Sequence, residues 1–216
     1  MGAVGGVIQG TPILCGGVII DTNTGKFDDI SFNDLKPVSD CYAHDQSLSR
    51  WKFLARLNTP VMHHSCVIID TRLWITGGQG QNNDKKGIRT TVYLDIHGRI
   101  SQGPFLPYKM YGHCMVVLED GKVMILGGFN NDYGVIIYDA EKNTFTRRHS
   151  KLQKRRLFSA CSLFHSAIHK MRPVVLIVGG YEENSAEVLD YTREGISWEK
   201  SELWQGISNF LGYSVC

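Results

Sequence analysis

Met124-Ile125-Leu126-Gly127-Gly128 reads as a short buried strand that ends on two residues free to adopt positive φ. The same figure occurs three more times, as Ile13-Leu14-Cys15-Gly16-Gly17, Trp74-Ile75-Thr76-Gly77-Gly78 and Leu176-Ile177-Val178-Gly179-Gly180. Successive first glycines lie 61, 50 and 52 residues apart. Such a period belongs to propeller blades, because helical solenoid repeats are shorter.

Each glycine pair sits in a similar setting. An apolar run and a turn precede it, as in Cys66 to Ile69 with Asp70-Thr71-Arg72, and Cys114 to Leu118 with Asp120-Gly121-Lys122. These read as β-hairpins. A third run follows in Thr91 to Asp95, Val135 to Asp139 and Glu187 to Asp190, and a fourth carries Trp51, Phe145 or Trp198. Four antiparallel strands per repeat, each sheet too thin to bury its own faces, predict an all-β propeller in which neighbouring blades cover one another. A β-sandwich also has many short strands, but it does not require the repetition.

The pattern resembles the kelch repeat: a run ending Gly-Gly, then Tyr before Asp, then Trp in the last strand. Gly16, Gly17, Tyr42 and Trp51 carry the resemblance in repeat one. Gly77, Gly78 and Tyr93 carry it in repeat two, with Phe105 as the nearest stand-in for Trp. Repeats three and four supply Gly127, Gly128, Tyr138 and Phe145, then Gly179, Gly180, Leu189 and Trp198. The expected division is 1–58, 59–108, 109–152 and 153–202, with 203–216 opening a fifth repeat, so that the sequence reads as part of a propeller. Members of this family commonly bind proteins, and many serve as substrate-recognition parts of ubiquitin ligases through an additional BTB domain, of which there is no sign in these residues. The rival implied by the resemblance is a carbohydrate-acting enzyme like galactose oxidase or sialate mutarotase. No catalytic residue, cofactor or metal ligand set stands out. His63, His64 and His113 fall at inner-strand starts, where ordinary hydrogen bonding between blades is the expected role.

Composition narrows the partners. In 216 residues, Lys+Arg number 23 and Asp+Glu 21, a formal charge of +2 that offers no general field for nucleic acid. The longest apolar run, Pro173 to Val178, is far below the ~20 residues needed to span a bilayer. A protein partner is expected, with a glycan as the alternative. The partner surface expected from charge is Arg147, Arg148, Lys151, Lys154, Arg155 and Arg156, which form the connection between repeats three and four.

Cys15 and Cys41 fall on adjacent strands of repeat one, at a separation that suits either a disulfide or two buried thiols. The pair resembles secreted invertebrate kelch-like proteins; if it is bridged the protein is expected outside the cell, and otherwise in the cytoplasm. Cys66, Cys114, Cys161 and Cys216 recur at 48, 47 and 55 residues, with core packing the expected role and a bridge such as Cys114 to Cys161 the alternative. Val18 to Asp40 reads as an inserted loop, a lid or interaction segment.

Overall fold

Strands β1 (Val4–Ile8), β2 (Thr11–Cys15), β4 (Leu35–Asp45) and β5 (Arg50–Val61) pair in that order, and β3 (Val18–Ile20) lies against the first half of β4. The computed structural model describes residues 2–20, 35–80, 86–193 and 196–200. Three more four-stranded antiparallel sheets follow. They are β6 (Ser65–Ile69), β7 (Arg72–Thr76), β8 (Thr91–Leu94), β9 (Ile100–Gln102); β10 (Cys114–Val117), β11 (Val123–Leu126), β12 (Val135–Asp139), β13 (Thr144–Arg147); and β14 (Ala160–Ser166), β15 (Arg172–Val178), β16 (Ala186–Leu189), β17 (Glu199–Lys200). No helix occurs among the described residues. The inner strands β1, β6, β10 and β14 stand side by side in chain order, so the sheets are the blades of a partial β-propeller.

One apolar core lies between each pair of blades. Val4, Ile13 and Ala55 meet Leu73, Ile75 and Leu94 between blades 1 and 2. Trp74 meets Ile125, Ile136 and Tyr138 between blades 2 and 3, and Met124 and Leu126 meet Val175, Ile177 and Leu189 between blades 3 and 4. Each large aliphatic side chain buried this way contributes roughly 1.5–3 kcal/mol. The residue two places before each first glycine faces the preceding blade: Ile75, Ile125 and Ile177 are buried, whereas Leu14 of blade 1 is 42% exposed. That rear face of blade 1, with Leu14, Tyr42 and Phe53 in one row across three strands, is not covered by another blade among the described residues.

The glycine pairs act as sockets. All eight glycines have φ between 60° and 133°. The second glycine's N–H donates to a carbonyl of the chain arriving from the outer strand: Gly17 to Val61, Gly78 to Met110, Gly128 to Arg156. The strand pair thereby holds the peptide that leads into the next blade, and a side chain at the first glycine would occupy the space this peptide needs.

Histidines fasten the blades at the same level. As Nε2–H tautomers, His64 donates to Cys15 O of blade 1 (3.1 Å) and His113 to Thr76 Oγ1 of blade 2 (2.7 Å), and Thr76 in turn donates to Met115 Sδ. Both rings are fully buried, and burial pushes His64 down to about 4 and His113 to about 3, so both are neutral near pH 7. Below the ordinary histidine value of about 6.5, the unfolded chain takes up protons that the folded rings refuse, and stability therefore declines as the pH falls towards 4. We expect a loss of roughly 3 kcal/mol per ring by pH 4, read from urea midpoints across that range, with His113→Gln showing a visibly shallower decline.

Several sequence expectations shift by one residue. Tyr42 lies opposite Leu14, Tyr93 opposite Trp74 and Tyr138 opposite Val123, which are two, three and four places before the glycine pair. A one-residue change in a strand reverses the face, so Tyr93 points forward and Tyr138 back. Their hydroxyls meet at 3.2 Å between blades 2 and 3. Phe105 does not replace the missing Trp of repeat two, being 59% exposed; Ile100 of β9 holds the register position that Phe145 has in β13 and packs on the core between blades 1 and 2, while Trp74 of β7 fills the next core, stacked on Tyr138 at 4.6 Å. Trp51 points out of the rear face of blade 1 against His44, while Trp198 is buried in the core between blades 3 and 4.

The same slip explains the cysteines. Cys114 pairs with Leu126, one place before the glycines, but Cys161 pairs with Ile177, two places before. Cys114 therefore faces forward and Cys161 back, and the two are joined across blades 3 and 4. Core packing as thiols is corrected for this pair, whereas Cys66 is buried with its Sγ–H towards Gly5 O. Cys15 and Cys41 are also joined, across β2 and β4. The inserted segment is not wholly loop, since Val18–Ile20 and Leu35 onward form an antiparallel ribbon. Its acidic residues Asp21, Asp28, Asp29 and Asp34, and the start of a fifth repeat with Cys216, lie outside the described residues.

Candidate functional site

The loops after the glycine pairs and the connections between blades share one face of the propeller, here called the upper face. At its axis, the residue two before each inner strand takes positive φ: Gly2 (74°), His63 (56°), Gly112 (62°) and Phe158 (60°). Gly112 N–H donates to His63 O and Phe158 N–H to Gly112 O, both at 2.8 Å, which makes an inner collar of linked peptides. Because Gly112 carries no side chain, the rings of blades 2 and 4 approach across it: His63 and Phe158 lie 4.7 Å apart. Tyr111 stands beside both, 6.5 Å from His63 and 6.1 Å from Phe158, and stacks on Phe129 at 4.9 Å.

His and Phe in the left-handed region carry strain on the order of 1 kcal/mol or more each, which the surrounding structure must hold. His63 has no hydrogen-bond partner on either ring nitrogen, and burial lowers its pKa. Burial also raises the Tyr111 phenol. At pH 7 the collar is therefore an uncharged aromatic mouth. Tyr181, 57% exposed, is anchored next to it by its N–H on Leu157 O, and Tyr133, 43% exposed, lies on the blade 3 loop. Phe129 and Tyr181 follow their glycine pairs directly, a signal present in the sequence.

The basic connection runs outward from this mouth. Arg147, Lys151 and Lys154 are exposed. Arg148 is partly buried and reaches Tyr191 O and Arg193 O, and Arg155 pairs with Asp132 at 3.1 Å. Arg156 is withdrawn from the partner surface, since it is fully buried and bound to the equally buried Glu187. The histidines divide: His64 and His113 fasten blades, and His63 alone joins the collar. Among the described residues, no three His, Cys, Asp or Glu side chains are grouped to hold a metal ion. Nor is any helix there long and apolar enough to cross a membrane.

No family model matches the chain. Among solved structures it is similar to the one titled "Structure of YjhT", with a TM-score of 0.70 over 93% of this chain and 70% of that chain, at 13% identity. At that identity the likeness concerns the fold, a propeller-type stack of four-stranded blades.

Proposed function

We propose that the chain is a kelch-type module, with repeats dividing near 58, 108 and 152, that binds a protein partner on its upper face and catalyses no reaction. The observation that carries this reading is the aromatic collar of His63, Tyr111, Phe129 and Phe158, with Tyr181 open beside it and Tyr133 exposed on the blade 3 loop of the same face. Aromatic side chains dominate binding at interfaces, and a mouth held at strained backbone is already organised before a partner arrives. The two disulfides favour an oxidising, extracellular setting, as would suit a matrix protein.

The experiment is cross-linking with identification of the partner, followed by quantitative binding of Tyr133→Ala/Tyr181→Ala and of a hairpin-tip variant on the opposite face, Ile168→Ser/Met171→Ser. The tyrosine variant is expected to weaken binding at least tenfold and the tip variant to leave it unchanged. The reverse order would overturn the assignment of the face. Turnover of a galactoside or sialate by the chain would move the reading to catalysis.

A further inference from the structure

The segment Arg147-Arg148-His149-Ser150-Lys151-Leu152-Gln153-Lys154-Arg155-Arg156 holds six Lys or Arg and no carboxylate, in a chain whose whole formal charge is +2. It is fixed along its length. Arg148 N–H donates to Val135 O, Leu152 N–H to Tyr133 O and Arg156 N–H to Asp132 O, so the segment tracks residues 132–135 across the upper face. Leu152 is buried as a plug. Glu187, itself buried, accepts the N–H of Gln153 (2.6 Å) and of Lys154 (3.1 Å) while it binds Arg156. The buried ion pair thus pins the backbone from below and leaves Lys151 and Lys154 to project.

We propose that residues 147–155 form a binding track for a sulfated polysaccharide. Arg147, Lys151 and Lys154 are exposed and make no ion pair within 4.0 Å among the described residues, and of the three only Lys154 lies within electrostatic reach of a carboxylate, that of Glu183, so a polyanion meets cations that are not held by close salt bridges. The track is preorganised, and ordering a loop therefore costs little on binding. Arginine forks match sulfate oxygens geometrically, and the exposed ring of Tyr133 adds an apolar surface beside the cations. A basic run of this length fits nucleic acid or heparin-like chains equally by charge. The two disulfides decide between them, because they belong to oxidising compartments, where the abundant linear polyanions are sulfated glycans. The proposal goes beyond the partner-binding reading, since it concerns the outer track and its test needs no protein partner.

The test measures binding of a size-defined heparin oligosaccharide to the full chain at several salt concentrations, beside double-stranded DNA and poly-glutamate. Two triple variants remove equal charge: Arg147→Gln/Lys151→Gln/Lys154→Gln on the track, and Lys122→Gln/Lys142→Gln/Lys170→Gln elsewhere. The track variant should bind heparin at least tenfold more weakly, with a salt slope lower by about three, while the other stays within twofold of the parent. No heparin binding by the parent chain, equal weakening in both variants, or DNA or poly-glutamate binding as tight as heparin would overturn the proposal.

Discussion

Arg156→Met should lower the unfolding free energy by about 3–5 kcal/mol, as measured by urea denaturation, although Met is the residue that the preceding connection uses at the same place. The sockets hold Val61, Met110 and Arg156 in turn, and the strand residues that face them are Val92, Ile136 and Glu187. Two of these three pairs are apolar; the third is a charge pair at 2.8 Å with essentially no exposure on either side. Removing the guanidinium leaves the Glu187 carboxylate in the core with only the backbone N–H groups of Gln153 and Lys154. An uncompensated buried charge of this kind is what makes breaking one side costly, whereas an apolar pair of similar volume is often tolerated. Arg156→Met/Glu187→Ile, which copies Met110 and Ile136, should therefore be more stable than Arg156→Met alone. Recovery will be partial. Arg156 also donates to Gly179 O and Ser185 O, the task that Asn131 performs for Gly127 O and Gly134 O in blade 3. Glu183, the matching residue of blade 4, has a carboxylate and cannot donate. A double variant less stable than the single one would show that the ion pair is not the source of the loss.

Gly127→Ala is expected to cost more than 3 kcal/mol, and Gly121→Ala only about 1 kcal/mol, by the same measurement. Both glycines have positive φ, 60° and 76°, and both substitutions bear the same backbone penalty. The difference is space. A Cβ on Gly127 would stand 2.1 Å from Arg156 O, whereas a Cβ on Gly121 meets nothing within 4 Å. Relieving the clash at Gly127 means moving the peptide that enters blade 4, and with it the Gly128 N–H bond to Arg156 O and the Arg156–Glu187 pair. Equal losses for the two variants would mean that conformational strain alone accounts for the glycine pairs.

The sequence displays the blades because glycine pairs and Asp-Gly turns are local signals that only a few backbone geometries accept. It conceals the faces. Val123 to Leu126 is buried at every position, so the run lacks the alternation from which the phase of a strand can be read. Nothing local therefore distinguishes Cys114, which looks forward, from Cys161, which looks back, or places Tyr93 and Tyr138 on opposing sheets. Arg156 is hidden for a different reason: within a run of basic residues it resembles its solvated neighbours, and its partner Glu187 lies 31 residues away. The collar depends on positive φ at His63 and Phe158, which no residue type announces, although the aromatic residues after two glycine pairs mark the right face.

The radial stacking of blades in chain order can be tested most directly by mapping disulfide-linked peptides from the unreduced protein. Cys114 and Cys161 are 47 residues apart and meet because β10 and β14 are neighbouring inner strands with opposite phase. The stack predicts Cys15 linked to Cys41 and Cys114 linked to Cys161. A protein whose main linkage joined Cys41 to Cys66, or Cys66 to Cys114, would contradict it.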